Sequence, residues 1–400
     1  MTDQLDLVVY GATGFTGGLV AEYLGRRLRG TQVRWAIAGR NADKLRDVRR
    51  RLADEHAAWG ELPIVIASAD DPTSLRAMVD GTRVVITTVG PFAKYGEPLL
   101  AACAEAGTDY LDITGEPDFW KDSIARYDEV AKKSGAIIVS CCGFDSIPHD
   151  LTVFFAAQHL PGDGPVHARG YVSAVGDFSG GTFNTALQAF ADGIGPGKGG
   201  GGSGGKSSRG PRPKIHRSEE AQAWVAPMPT VDPLVVRRSG KLLPNVYGEG
   251  FSYAHYLQAK DGAQLAKVLG GVAALVVGAK IPFVRRKLAA WRPPGTGPDA
   301  AARARHWFRV HVVAERGGAR VRAEMRGGDP GYTETAKMVA ESALCLVQQR
   351  ASLPFAGGVL TPAAAFGSAL VDRLRARGIE LEIVDRPPVG SGRPRGQTAA

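Results

Sequence analysis

Gly11, Gly14 and Gly17 stand directly after the apolar run Leu5 to Tyr10 and before a helical stretch from Leu19 to Leu28. Glycines at this spacing can bind a dinucleotide. Gly11 permits a tight turn, Gly14 lets the backbone approach a pyrophosphate, and Gly17 lets the helix pack close to the strand. Thr13, Phe15 and Thr16 complete the turn, and the helix N-terminus aims its N–H groups and partial positive charge at the phosphates. A purely structural turn is the competing reading. The strand before it and the helix after it favour the cofactor.

The second apolar run, Val33 to Ala38, ends in Gly39-Arg40-Asn41. An NAD site places a carboxylate there for the ribose 2′-OH, whereas an arginine suits a 2′-phosphate. Arg40 can pair bidentately with phosphate and Lys44 follows one helical turn on, so NADP (as NADPH) is expected rather than NAD. An arginine capping a solvated helix start is the plainer alternative. Asp70 follows the run Pro63 to Ser68, where adenine contacts arise. Thr88-Val89-Gly90-Pro91 closes the fourth strand, against the nicotinamide ribose.

Hydride transfer also needs a group that stabilises developing charge, and often a proton donor. Tyr95, Asp145, Ser146 and His149 are the candidates near this edge. Asp145 and Ser146 equally suit capping of a helix that starts near Pro148. His149 equally suits a helix surface, and Tyr95 an orienting contact to the nicotinamide. Glu116, after Thr114-Gly115, can hold its loop rather than titrate. No Ser-Tyr-Lys arrangement with Tyr and Lys four apart is present, so water stays open as the proton source. Cys103, Cys141, Cys142 and Cys345 lack metal-ligand spacing; no metal is expected, and they read as reduced, mostly buried thiols.

The elements that must position these residues follow in order. Strands at 5–10, 33–38, 63–68, 83–89, 109–113 and 136–141 alternate with helices near 17–29, 41–55, 72–80, 97–106 and 119–134. That rhythm specifies α/β architecture, a doubly wound parallel sheet with right-handed crossovers. A chain of 400 residues is expected to form more than one domain. The reading is a nucleotide-binding domain over 1–145 and an α+β domain over 146–350, which carries a flexible glycine-rich loop at 195–213. A helical segment over 351–385 packs back on the first domain, and a disordered tail covers 386–400. Trp307 to Glu315 alternates with period two, Gly317-Gly318 turns, and Arg320 to Met325 returns. That is an antiparallel hairpin with one buried face of Phe308, Val310, Val312 and Ala314. Tyr332 to Gln349 has helical spacing, and a last helix from Ala363 to Arg377 stops at Gly378.

The net charge of +9 comes without a recognition motif or an aromatic-basic platform, so nucleic acid is not an expected partner. One basic cluster, Arg285-Arg286-Lys287, follows the apolar segment 265–284 and suits an anionic membrane surface. Its uncharged part, Val268 to Ala279, is shorter than the roughly 20 residues of a membrane span. A buried or dimer-interface helix, an interfacial membrane helix and a true span all stay open. Met1 to Gln4 carries no basic-then-apolar leader, so a cytoplasmic place with peripheral membrane contact is expected, with a homodimer as the assembly.

Several segments together resemble the saccharopine dehydrogenase-like oxidoreductases: Gly11 to Gly17, Ala38-Gly39-Arg40, Thr88 to Phe92 with Tyr95-Gly96, Tyr110 to Glu116, and Cys142 to Asp150. Pro293 to Pro298 and Gly357 to Ala363 are similar to segments of the mycobacterial trans-acting enoyl reductases. Those enzymes saturate a double bond on chains built by polyketide synthases that lack a working reductase domain. The resemblance covers roughly 5–380 and breaks at 195–213. It implies a Rossmann domain, an inserted α+β domain and a C-terminal helical return. It further implies an NADPH-dependent enoyl reductase acting on an acyl or lipid-like chain held by a carrier or synthase. A true saccharopine dehydrogenase needs converging arginines for its three carboxylates, and no such motif carries over; Gly176 to Thr182 is small and neutral apart from Asp177. A reductase of a small carbonyl or imine, and a non-catalytic NADP-binding module on a lipid surface or synthase, are the alternatives.

Overall fold

The computed structural model describes residues 4–177, 214–228, 230–291 and 295–385. The glycine-rich stretch 195–213, Phe178 to Thr182, Pro293, Pro294 and the tail from 386 lie outside the described residues. Two compact units form, Met1–Ile147 with Gly331–Leu374, and Pro148–Pro330 with Arg375–Ala400.

In the first unit, β1 (Leu5–Tyr10), β2 (Trp35–Gly39), β3 (Ile64–Ile66), β4 (Thr82–Thr87), β5 (Asp109–Asp112), β6 (Ile137–Val139) and β13 (Gly358–Leu360) form one sheet. Its order is β13-β6-β5-β4-β1-β2-β3, and every pairing is parallel. Helices α1 (Phe15–Arg27), α2 (Ala42–Glu55), α3 (Pro72–Asp80), α4 (Phe92–Tyr95), α5 (Glu97–Ala106) and α6 (Pro117–Ser134) fill the crossovers. Strands covered by helices on both faces read as continuous apolar runs, as Leu7, Val8, Val9 and Val84 to Ile86 do, all 0–1% exposed. The strand order reverses between β1 and β4. A crevice therefore opens beyond their carboxyl ends, where ligands of such sheets bind.

Helix Thr333–Gln349 belongs to this unit and packs against α1, β4 and β5. It buries Glu341 completely, and the carboxylate accepts from the Tyr23 hydroxyl at 2.7 Å, Arg27 Nε at 3.1 Å and Arg373 Nε at 2.8 Å. Helix Pro362–Arg375 is kinked at Gly367. All four cysteines lie in this unit, buried and outside any disulfide.

The second unit carries a mixed sheet of order β14-β12-β11-β7-β10-β9-β8. Its strands are β7 (His167–Val175), β8 (His216–Ser218), β9 (Ala223–Pro227), β10 (Ser252–Ala259), β11 (Trp307–Arg316), β12 (Ala319–Gly327) and β14 (Glu380–Ile383). Only the β7–β10 pairing is parallel. The β11–β12 hairpin turns at Gly317 and Gly318, both at positive φ. Phe308, Val310, Val312 and Ala314 are fully buried, but so are His311 and Val313, and Arg309 is 5% exposed. Both faces are therefore covered, and the expectation of a single buried face is corrected. Neighbouring strands supply partners for the polar side chains, so period-two hydrophobicity shows only half of the burial.

The apolar segment is two helices, Gly262–Lys280 and Pro282–Trp291, because Pro282 lacks the N–H that would continue the first. Asp261 caps the first by accepting from Gln264 N. Leu265, Gly278 and Ala279 are its only buried residues among those described, while Val277 is 61% and Phe283 58% exposed. A buried helix is thus excluded within this chain. By length and composition alone, Gly262–Lys280 is long and apolar enough to cross a membrane.

Candidate active site

The turn after β1 is built by close approach. Gly11 adopts φ +91°, and a Cβ there would lie 2.8 Å from both Thr88 Oγ1 and Val89 Cγ2. A Cβ on Gly17 would lie 2.2 Å from the Gly11 carbonyl oxygen and 2.7 Å from Thr88 Oγ1. At Gly14 only that same carbonyl comes near, at 3.3 Å, and Thr13 and Gly14 are exposed. Two glycines thus pack inward while the third leaves its outer side open. Gly14 caps α1 without a side-chain hydrogen bond, and no acidic residue occupies the first turn, so the positive end of the helix faces the crevice uncancelled. Phe15 packs edge-on against Tyr332 at 5.1 Å, and Thr16 is half-buried behind it.

At the ends of β2 and β3, Arg40 and Lys44 are exposed, and neither makes a salt bridge among the described residues. Asn41 Oδ1 accepts from Lys44 N at 2.9 Å, so its carbonyl caps α2 and only its amide is left to face outward. Tyr10 connects the three strand ends: its hydroxyl meets the Ala69 backbone and senses the charges of Arg40 and Asp70, and burial raises its pKa. The donor set fits the phosphates of a dinucleotide carrying an extra 2′-phosphate.

Beyond β4, Thr88 Oγ1 donates to Gly11 O at 3.3 Å and Val89 N donates to Thr87 Oγ1 at 3.2 Å. The Gly90–Pro91 peptide is cis. Glu116 accepts from Phe92 N and Ala93 N, each at 2.8 Å, and so fixes the short helix that carries Tyr95. Tyr95 is half-buried beneath Lys94, whose Nζ lies 4.8 Å from the ring centroid.

After β6, Cys141 adopts φ +64° and Phe144 N donates to Thr335 Oγ1 at 3.0 Å. Asp145 is half-buried beside Gly115, where a Cβ would meet its Oδ2 at 3.1 Å; the Asp145–Ser146 peptide is cis. Ser146 is fully buried, and its Oγ has no hydrogen-bond partner among the described residues. The hydroxyl therefore caps no helix among the described residues. Tyr95 and Asp145 remain as polar groups at this edge.

Sequence reasoning missed Asp112. It is fully buried at the end of β5, where Oδ1 accepts from Thr114 N (2.9 Å) and Cys141 N (3.1 Å). Oδ2 accepts from Ser140 Oγ (2.8 Å) and the Tyr110 hydroxyl (3.0 Å). Burial pushes its carboxyl up to about 6 despite these bonds. An Asp two residues before a Thr at a strand end is an Asx-turn signal that could have marked it.

His149 lies in α7 (Ile147–Gln158), in the second unit and fully buried, so the surface reading is corrected. Its Nδ1 is 3.2 Å from Asp232 Oδ1, and its ring packs edge-on to His255 at 4.9 Å. Asp150, next in α7, accepts from Ser239 Oγ at 2.6 Å. These partners are far away in sequence, which is why a Pro-His-Asp helix start resembled a solvated one.

Residues 7–139 match the family model of the saccharopine dehydrogenase NADP-binding domain. A Mycobacterium tuberculosis protein assigned to the trans-acting enoyl reductases is 39% identical over 418 aligned residues, covering 95% of this chain and 97% of that one. The trans-acting enoyl reductase of Mycobacterium bovis is 36% identical over 414 residues, with 94% and 97% covered. That of Mycobacterium ulcerans is 34% identical over 409 residues, again with 94% and 97% covered. In fold, the chain is similar to saccharopine dehydrogenase (L-Glu forming) from Saccharomyces cerevisiae, with TM-score 0.52 and 12% identity over 95% of this chain and all of that one. The cofactor of the first unit is NADP(H). The chain belongs to the saccharopine dehydrogenase-like family, in the group of the trans-acting enoyl reductases.

Proposed function

We propose that this protein is an NADPH-dependent enoyl reductase that acts in trans on an acyl chain held by a separate synthase or carrier. The observation that carries the reading is the full-length similarity to proteins of that name, joined to a nucleotide edge whose glycines and cations fit NADPH. When bound, the reduced nicotinamide supplies a hydride. The N–H groups after Gly14 hold the pyrophosphate, Arg40 and Lys44 the 2′-phosphate, and Asp70 borders the adenine. Thr88, Val89, Gly90 and Pro91 wall the nicotinamide ribose. Tyr95 and Asp145 are the residues offered for the enolate oxygen and the α-carbon proton; Asp145 can deliver a proton only when protonated, and water is the alternative source.

A polycarboxylate substrate fits less well. Arg169 is engaged by Glu220 at 2.7 Å and Glu315 at 3.0 Å, Arg320 by Glu315, and Arg326 by Glu324. These arginines answer the chain's own carboxylates instead of awaiting a ligand's. The exposed apolar face of Gly262–Lys280, followed by Phe283 and Arg285 to Lys287, supports peripheral contact with an anionic membrane on the cytoplasmic side. A homodimer is the assembly we expect.

Deuteride transfer tests the reaction. With NADPH deuterated at C4 and an α,β-unsaturated acyl thioester, the product should carry its deuterium at the β-carbon. Deuterium on a carbinol or amine carbon would replace this reading with the small carbonyl or imine reductase. Tight NADPH binding without turnover of any of these would favour the non-catalytic module.

A further inference from the structure

Away from the nucleotide edge, the second unit brings three ligand-type side chains to one point. His149 in α7, Asp232 at the start of helix Asp232–Leu242 and His255 in β10 are at most 3% exposed. One donor atom from each lies within 4.8 Å of the others. His149 Nδ1 is 3.2 Å from Asp232 Oδ1, and His255 Nε2 is 3.7 Å from Asp232 Oδ2. At that distance His255 Nε2 is a buried polar atom with no hydrogen-bond partner among the described residues. Buried polar atoms are rarely left so, because burial without a partner is costly.

We propose that His149, Asp232 and His255 bind a divalent transition-metal ion of the zinc class. Two imidazoles and one carboxylate suit Zn²⁺ or Co²⁺, whereas Ca²⁺ and Mg²⁺ take oxygen donors. Metal–ligand bonds near 2.0–2.2 Å put donor atoms roughly 3.3 Å apart, so the His149–Asp232 pair needs no movement. The remaining separations close with an inward shift on the order of 1 Å. The supporting contacts suit the role. The Tyr253 hydroxyl lies 2.9 Å from His255 Nδ1 and orients the ring so that Nε2 faces Asp232. Gly170 makes room for that hydroxyl, since a Cβ there would fall 2.2 Å from it. The Thr230 hydroxyl donates to Asp232 Oδ2 and holds the carboxylate in turn. The ion takes the place of any proton shared between His149 and Asp232, which is released to solvent. Walled from bulk water, it ties α7, the helix Asp232–Leu242 and β10 together in a structural role, with the Thr230 hydroxyl oxygen offered as the fourth donor.

The test uses the full chain, stripped with chelator and dialysed against Zn²⁺ or Co²⁺. Expected are about one equivalent of metal per chain and visible d–d absorption with Co²⁺. Zn²⁺ should also raise the melting temperature, reversibly with chelator. His255→Gln should lose all three while still binding NADPH in the first unit. Wild-type chain that takes up no metal and melts identically with Zn²⁺ and with chelator would overturn the proposal, whatever the variant does. Equal uptake by wild type and a folded His255→Gln would overturn it too.

Discussion

The carbonyl oxygen of Gly11 lies 2.2 Å from the place where a Cβ of residue 17 would stand. Backbone, not a yielding side chain, occupies the space. Gly17→Ala should therefore cost about 1–3 kcal/mol of stability or an equivalent tenfold to hundredfold in NADPH affinity, as the turn opens to admit a methyl. Gly18 next to it has nothing nearer than 3.7 Å. Gly18→Ala should be neutral or stabilising by up to about 1 kcal/mol from helix propensity. Urea melts and fluorescence titrations of both variants check this contrast, and equal effects would refute it.

Arg40→Glu should weaken NADPH binding roughly tenfold to hundredfold, the worth of one or two charge-assisted phosphate bonds. NADH binding, which lacks the 2′-phosphate, should hardly change. Titration of both nucleotides against both proteins reads the outcome. A parallel loss for NADH would move Arg40 from the phosphate to a structural role.

Removing Glu116 strips two backbone N–H groups of their acceptor. Glu116→Ala should lower stability by about 1–3 kcal/mol for each donor that water fails to reach, and Glu116→Gln, which keeps one oxygen, should fall between it and wild type. Denaturant midpoints of the three proteins give the order.

Asp112 makes a prediction about pH. Its carboxyl is pushed up to about 6 by burial, so the folded chain keeps a proton that the unfolded chain has already released above about pH 4. Stability attributable to this group is then greatest below pH 4 and is lost as pH rises to about 6, by roughly 3 kcal/mol at most. Asp112→Asn keeps an acceptor for Thr114 N and Cys141 N and offers an N–H to the Ser140 and Tyr110 hydroxyls. The difference in unfolding free energy between variant and wild type should grow in the variant's favour from pH 4 to 7. A difference independent of pH would contradict the assignment.

On the exposed apolar face, Val277→Glu with Phe283→Glu should reduce sedimentation with anionic vesicles roughly tenfold or more, with NADPH binding unchanged. Undiminished sedimentation would remove the membrane reading of this helix.

The first unit was legible because its strands are apolar runs that end in glycine or in turn residues, and three of its helices carry proline in the first turn, at Pro72, Pro98 and Pro117. The cradle of Gly11, Gly14 and Gly17 came with them. What stayed hidden depends on contacts between distant segments. Glu341 looks like a surface residue until Tyr23, Arg27 and Arg373 converge on it. His149 needs Asp232 and His255. Strands β7 and β10 are not legible because Arg169, Tyr171 and Gln258 find polar partners in the 219–222 turn and His255 finds Tyr253 on its own strand, so no hydrophobic period announces burial.

The four thiols have a practical consequence. Cys103, Cys141, Cys142 and Cys345 are buried in the first unit, and burial raises the pKa of Cys103, Cys142 and Cys345, the last to about 12. The second unit contains no cysteine at all. An alkylating reagent is therefore blind to everything except the opening of the nucleotide-binding unit. Its rate of uptake, with and without NADPH, is a clock for how often that unit breathes and how firmly the cofactor holds it shut.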